Sequence, residues 1–235
     1  MKDYQINFLN KLAPMAKRDW DENHIVLPSI TIAQGIHESG WGTSELAVKA
    51  NNLFGVKCGS NWNGASYSKS SGEYKPGSTT EYKQVSDFRA YSDWDGGVKD
   101  HTIFLSKPRY AALRGQTDFC LAAHALKLAG YATGPFYSRN IVQHILDYKL
   151  YKYDPEQPDF NAIYRVQTNA FKDIANAQVE ADKLTILGFK STMIKDEETG
   201  LIFVQVGAYR ARDKACDVAC QLILKGYKPM IKVKK

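Results

Sequence analysis

Hydrophobic positions in the first 150 residues recur with helical spacing, broken by one long polar stretch. Ile32, Ala33 and Ile36 form an apolar face behind Pro28-Ser29 and before Gly40. That spacing predicts a helix over 29–39, with Ser29 as N-cap and Gly40 as stop. Ser44 reads as the cap of a short helix over 45–50, and helical periodicity returns over 94–105, 118–128 behind a Thr117 cap, and 138–150. Residues 58–87 are rich in Gly, Ser, Thr, Tyr and Lys, with turn signals at Asn63-Gly64 and Lys75-Pro-Gly77. They predict a hairpin lobe set between helices.

After the proline-stiffened stretch Asp154-Pro-Glu-Gln-Pro-Asp159, the pattern changes to an internal repeat with a period of 38 residues. Val166-Gln167 recurs as Val204-Gln205, Ala170-Phe171 as Ala208-Tyr209, Leu184 as Leu222, and Gly188-Phe189 as Gly226-Tyr227. Each copy reads strand, helix, strand. Two such copies, each too small to bury its own face, predict one four-stranded antiparallel sheet backed by two helices. The expected organisation is therefore a mainly helical unit over 1–153, a linker over 154–161, and a ferredoxin-like βαββαβ unit over 162–235.

Charge sharpens this division. The chain carries a net charge of +6, yet residues 162–235 hold thirteen Lys/Arg against eight Asp/Glu, leaving only +1 for the rest. A basic C-terminal unit suggests an anionic partner such as a cell-wall polymer or nucleic acid, although a solvated lysine face is the commoner reason for such a charge. Cys216 and Cys220 fall at i, i+4 of one predicted helix, a poor disulfide geometry and an incomplete metal site. No apolar run reaches membrane-spanning length, and the N-terminus lacks the apolar core of a signal peptide. As written, the chain is expected to accumulate in a host cytoplasm, or to have been trimmed of a leader.

The chemistry concentrates at Gln34-Gly-Ile-His-Glu38-Ser-Gly-Trp41-Gly42. Glu38 falls in the last turn of the predicted helix, where the carbonyl ends of the helix dipole disfavour a carboxylate. Shielding by Trp41 would add to that, and the pKa should rise. A carboxylic acid that stays protonated near neutrality suits protonation of a leaving oxygen. The neighbouring His37 does not extend this to a zinc site, because position 41, where a His-Glu-x-x-His helix needs its second ligand, is Trp. The sequence contains no Gly-rich phosphate loop and no Cys/His metal spacing, so neither a metal nor another cofactor is expected.

Four words in order resemble the glucosaminidase family of peptidoglycan hydrolases, glycoside hydrolase family 73, with its lysozyme-like helical fold. They are Ala33-Gln-Gly-Ile-His-Glu-Ser-Gly-Trp-Gly42, Asn52-Leu-Phe-Gly-Val-Lys57, Phe88-Arg-Ala-Tyr91 and Gly130-Tyr-Ala-Thr-Gly-Pro-Phe-Tyr137. The resemblance implies Glu38 as general acid and a second acidic residue from the hairpin. Glu73 and Glu81 compete for that place, with Glu73 preferred for its distance to Phe88. It also implies a role for Tyr131 in orienting the substrate's acetamido group, which can itself serve as nucleophile. Gly134 stands where the family usually has Asp. Trp41, Asn52, Phe54 and Tyr137 are the expected substrate-binding residues.

The repeat region resembles the SPOR family of peptidoglycan-binding domains, through Val204-Gln-Val-Gly-Ala-Tyr209. The first copy departs from it at Asn169, where the family usually has Gly. Gln167 and Gln205 are the expected glycan contacts. The reading implied is hydrolysis of peptidoglycan glycan strands by a monomeric endo-β-N-acetylglucosaminidase, with neither nucleic acid nor membrane as partner. The alternatives are a muramidase and a non-catalytic wall binder. An RNA-binding role for the ferredoxin-like unit is disfavoured, because Leu201-Ile-Phe-Val-Gln205 lacks the aromatic-rich signature expected there.

Overall fold

A computed structural model describes residues 1–74, 81–132, 134–155 and 162–234, with no side-chain description at 71–84, 213 and 234. The chain divides into two compact units, Met1–Gln157 and Pro158–Lys235. The first comprises helices α1 (Asp3–Asn23), α2 (Pro28–Ser39) and α3 (Glu45–Ala50), the antiparallel hairpin β1 (Ser66–Tyr74) and β2 (Glu81–Arg89), then α4 (Trp94–Leu105), α5 (Phe119–Leu128) and α6 (Tyr137–Asp147). Two 3-10 segments, Pro108–Leu113 and Leu150–Tyr153, complete it.

Helix α2 is the centre of this unit. Every residue from Pro28 to Ile36 is buried, polar ones included, as befits a helix covered on all sides. Helices α1, α5 and α6 pack around it. Helix α1, which was not among the predicted elements, buries an apolar stripe of Phe8, Leu9, Leu12, Ala13, Ala16 and Trp20. Pro14 interrupts that stripe in sequence but lies on the exposed side of the helix. The close approach of α1 depends on Gly35, because a Cβ there would come within 2.9 Å of Leu12 Cδ2.

Four local expectations need correction. Helix α2 begins one residue earlier than expected, with Pro28 at its first turn, so Ser29 lies inside the helix rather than capping it. The Ser29 N–H donates instead to Asp154 Oδ1 at 2.8 Å. Asp154 is thus buried in the first unit and caps α2 from a distance; it does not open the linker, whose residues 156–161 lie outside the described ones. Asp118, not Thr117, caps α5, its carboxylate accepting from the N–H groups of Cys120 and Leu121. Helix α6 stops at Asp147, because Lys149 takes a left-handed conformation, φ 52°, before the chain re-enters a 3-10 turn.

The hairpin is anchored at its base. Phe88 packs with Leu46 and Ala50 of α3, and the Tyr67 hydroxyl donates to Glu45 Oε1 at 2.7 Å. Arg89 and Tyr91 both grip Asp100 of α4, Arg89 through two bonds of 2.7 and 2.9 Å and the Tyr91 hydroxyl through one of 2.6 Å. That double grip gives the Phe88-Arg-Ala-Tyr91 word a structural meaning: it ties the hairpin to the helical body.

The second unit comprises β3 (Ile163–Phe171), α7 (Ile174–Ile186), β4 (Thr192–Lys195), β5 (Ile202–Tyr209), α8 (Arg212–Leu224) and β6 (Met230–Lys234). Its strands run antiparallel in the order β4-β5-β3-β6, the ferredoxin-like topology that the repeat predicts. Tyr164, Val166 and Val204 face a core completed by Leu184 and Leu222, the repeat-related pair from the two helices. Among the described residues, no helix is long and apolar enough to cross a membrane.

Candidate active site

Glu38 sits in the last turn of α2, which Gly40 closes in a left-handed conformation, φ 57°. It borders a cleft of about 330 Å³ lined also by Phe54, Gly55, Val56, Lys57, Phe104, Tyr131 and Ala132. The residue keeps an exposed face towards the cleft, while protein surrounds most of its carboxyl group. That burial pushes its pKa up to about 7. The rise expected from the sequence is there, with burial as its cause.

Tyr131 follows the end of α5, beyond Gly130, and closes the opposite side. Its hydroxyl donates to the Phe54 carbonyl at 3.1 Å, which joins the 54–57 wall to the residues after α5. Burial, then the charges of Tyr137 and Glu38, hold the Tyr131 phenol well above its ordinary pKa, so it stays neutral. With its proton committed to Phe54, what the phenol presents to the cleft is an oxygen lone pair. The Phe54 ring stacks on His101 of α4 with centroids 4.0 Å apart. His101 is fully buried and pushed down to about 3, so it is a neutral packing ring.

Residues 13–150 match the family model for glucosaminidase, described as mannosyl-glycoprotein endo-beta-N-acetylglucosaminidase. The chain belongs to this glucosaminidase family. Residues 161–232 match the SPOR domain family. The chain is 37% identical over 167 residues to the exo-glucosaminidase LytG of Bacillus subtilis (strain 168), covering 68% of this chain and 57% of LytG. It is 35% identical over 125 residues to the peptidoglycan hydrolase FlgJ of Escherichia coli (strain K12), covering 51% of this chain and 39% of FlgJ. It therefore spans less than two thirds of either relative. Among solved structures, it is similar to the catalytic domain of the autolysin Auto from Listeria monocytogenes. There the TM-score is 0.58 and the identity 28%, over 66% of this chain and 89% of that one.

Within the glucosaminidase unit, the residues expected at the site sort into lining and support. Glu38, Tyr131 and Phe54 line the cleft. Asn52 does not reach it. At 1% exposure, its Nδ2 donates to the carbonyls of Val56 and Arg89 at 2.9 and 2.8 Å, and its Oδ1 accepts from the N–H groups of Phe54 and Val56. Asn52 therefore shapes the wall from behind. Tyr137 is likewise buried, its hydroxyl accepting from Gln34 Nε2 at 2.9 Å, and supports Tyr131 through ring packing at 5.8 Å. Trp41 is not among the cleft residues either. It packs edge-on against Tyr148 and Phe8, at 4.7 and 5.6 Å, and holds a left-handed turn, φ 64°.

The second acid falls where side chains are not described. The ladder sets Glu73 opposite Tyr82 and Glu81 opposite Tyr74, next to the undescribed residues 75–80. Lys57 and Phe104 are cleft residues that the sequence reading did not assign. Lys57 ends a matched word and could have been found there; Phe104 carried no signal.

On the SPOR unit, Arg165, Gln167, Ile194, Lys195, Phe203 and Lys232 contribute to a groove of about 290 Å³ on the sheet. Lys232 lies 4.1 Å from the Phe203 ring centroid. Gln167 and Gln205 pair across β3 and β5, as the repeat suggests, but Gln167 is only 4% exposed and both amide oxygens are shut off from solvent. Asn169, the departure from the family word, donates to Glu180 Oε1 at 2.8 Å.

Proposed function

We propose that the chain hydrolyses the glycan strands of bacterial peptidoglycan at β-N-acetylglucosaminyl bonds, with Glu38 as the general acid. The observation that carries this reading is a carboxyl group with a pKa of about 7 at the edge of a cleft, in a chain of the glucosaminidase family. Glu38 delivers its proton to the departing glycosidic oxygen. The lone pair of Tyr131 faces the positive charge that develops on the sugar, or accepts from an acetamido N–H. Either a water activated by a hairpin carboxylate displaces the leaving oxygen directly, or the acetamido oxygen does so first and a water, giving its proton to the now ionised Glu38, then opens the cyclic intermediate. The relative LytG is named an exo-glucosaminidase, whereas the present reading is endo cleavage. Mass spectrometry of reduced products tests both points. New reducing ends on GlcNAc with long oligomers support the reading, ends on MurNAc make the enzyme a muramidase, and single terminal residues make it an exo-enzyme.

Glu73→Gln should lower wall hydrolysis well below Glu81→Gln, because the Lys75-Pro-Gly77 turn and the spacing to Phe88 place Glu73 where the family supplies its second acid. The reverse order would hand the role to Glu81, and two small equal losses would favour the acetamido route.

The SPOR unit would hold the enzyme on the wall. A chain ending at Gln157 retains Asp154 and should keep its fold and its action on soluble glycan. Residues 158–235 should sediment with purified wall without cutting it. Because Arg165, Lys195 and Lys232 outnumber Asp196 and Glu197 in the groove, this binding should weaken between low and physiological salt as exposed charges become screened beyond about 10 Å. Binding indifferent to salt would instead point to Phe203 stacking and sugar hydrogen bonds. Monomeric action, and access to the wall either by export or by release from a phage-infected cell, belong to the same proposal. Sizing by light scattering and fractionation of the producing cells test them.

A further inference from the structure

We propose that His37 and His144 form a two-histidine site for a divalent transition-metal ion of the zinc or nickel class, which clips the end of α2 to α6. Neither residue lines the cleft that Glu38 borders, and the inference stands or falls apart from the glycan-hydrolase reading above.

The two rings stand 107 residues apart in the chain, on helices that pack against each other. His37 Nδ1 lies 3.4 Å from His144 Nε2. A zinc ion with bonds of about 2.0–2.1 Å to two imidazole nitrogens, at a tetrahedral angle, holds those nitrogens about 3.3–3.4 Å apart. The pair therefore already has the bite of a chelate. Its rings are set by their surroundings. His37 meets the Tyr137 ring edge-on with centroids 5.6 Å apart, and His144 stacks on Tyr148 at 6.2 Å. The hydrogen bond from Gln34 Nε2 to the Tyr137 hydroxyl, 2.9 Å long, ties the same two helices together. Ligands positioned before the ion arrives lose little conformational freedom on binding it. His37 is exposed and His144 half-buried, so an ion can reach them from solvent.

The donor set selects the kind of ion. Neutral imidazole suits zinc, nickel and copper, whereas calcium and magnesium take oxygen ligands. Partial burial pushes both imidazoles below their ordinary pKa, which favours the neutral form that an ion needs. Binding uses the tautomers with the proton on His37 Nε2 and on His144 Nδ1, so that the two facing nitrogens both offer lone pairs. Without an ion, one facing nitrogen carries a proton and donates it to the other, and the metal replaces that single N–H···N bond. Among the described residues, no third His, Cys, Asp or Glu joins the pair. Water completes the shell, which makes this an exchangeable, stabilising clip rather than a permanently loaded centre. Position 41 carries no second histidine, and the partner comes instead from α6, which sequence spacing does not show.

The test uses the full, untagged chain, freed of metal by a chelator and then melted with Zn²⁺, Ni²⁺, Ca²⁺ or Mg²⁺ present, with circular dichroism as the readout. Zn²⁺ and Ni²⁺ should each raise the melting temperature by about 2–4 °C or more, the scale on which ligand linkage moves a domain of this size. Ca²⁺ and Mg²⁺ should not. His37→Gln and His144→Gln should each lose the metal-induced shift, and comparing shifts within each variant removes any change in basal stability. His24→Asn, at an exposed histidine elsewhere on the same unit, should keep it. Calorimetric titration with Ni²⁺ below the melting range should find one fewer bound ion per chain in the two glutamine variants than in the parent. A parent whose melt ignores Zn²⁺ and Ni²⁺, a shift that survives in either glutamine variant, or an equal response to Ca²⁺ overturns the site.

Discussion

Glu38→Gln should lower wall hydrolysis by roughly 10²–10⁴-fold, the range for losing general-acid help, while the fold stays intact. The amide has the shape of the protonated acid but has no proton to give to a leaving oxygen. Clearing of purified wall suspensions reads the rate, and circular dichroism confirms the fold. Hydrolysis above about a tenth of the parent rate would place the acid elsewhere. The same residue fixes the alkaline side of the pH profile. Because burial brings the pKa of Glu38 to about 7, the parent rate should fall as pH rises through that value. Stability offers an independent reading with a definite sign. Between the ordinary carboxylate pKa of 4.5 and about 7, the folded state holds a proton that the unfolded chain has released, so the contribution of Glu38 to stability declines as pH rises through that window. The declined level persists above it. Glutamine, neutral throughout, escapes the decline. The variant's melting temperature should therefore match the parent's near pH 4 and exceed it at pH 8. A gap of the opposite sign would mean that the charged form of Glu38 is stabilised, contrary to a buried acid.

Much of this site is legible in the sequence, and what is not follows physical lines. Local signals set the end of α2: Gly40 needs a left-handed conformation, and that places Glu38 in the last turn. The repeat of Val166-Gln167 in Val204-Gln205 predicts the pairing of β3 with β5, since each half-unit needs the other to bury its face. What local pattern cannot supply is the partner across space. The cap of α2 comes from Asp154, more than a hundred residues away, so Ser29 looked like the cap because its true partner was invisible. Trp41, Asn52 and Tyr137 looked like cleft residues because they sit inside the matched words. Side-chain direction decides otherwise: Asn52 and Tyr137 turn inward and support Phe54, Val56 and Tyr131, which do face the cleft, while Trp41 packs on Phe8 and Tyr148 away from it. A matched word marks a region under constraint, without distinguishing the contact from its scaffold.

Asn52→Ala separates those two roles and should produce the largest loss of stability of any single change at the site. The amide satisfies two carbonyls and two N–H groups at once, and it joins the 52–56 turn to the end of β2 at Arg89. Each buried backbone group stranded by the change costs about 1–3 kcal/mol, against a typical domain stability of about 5–15 kcal/mol. Even with partial relaxation towards water, the first unit should melt at markedly lower urea. The wall carrying Phe54, Gly55, Val56 and Lys57 would lose its tie to the hairpin. Activity should fall with it, because Glu38 then faces a cleft whose opposite side is no longer held. Urea melts followed by circular dichroism, beside steady-state kinetics below the melting range, distinguish support from contact. A substrate-binding asparagine would raise KM and leave the melt where it was. A buried strut moves the melt first and lowers kcat with it, which is the outcome the four hydrogen bonds require.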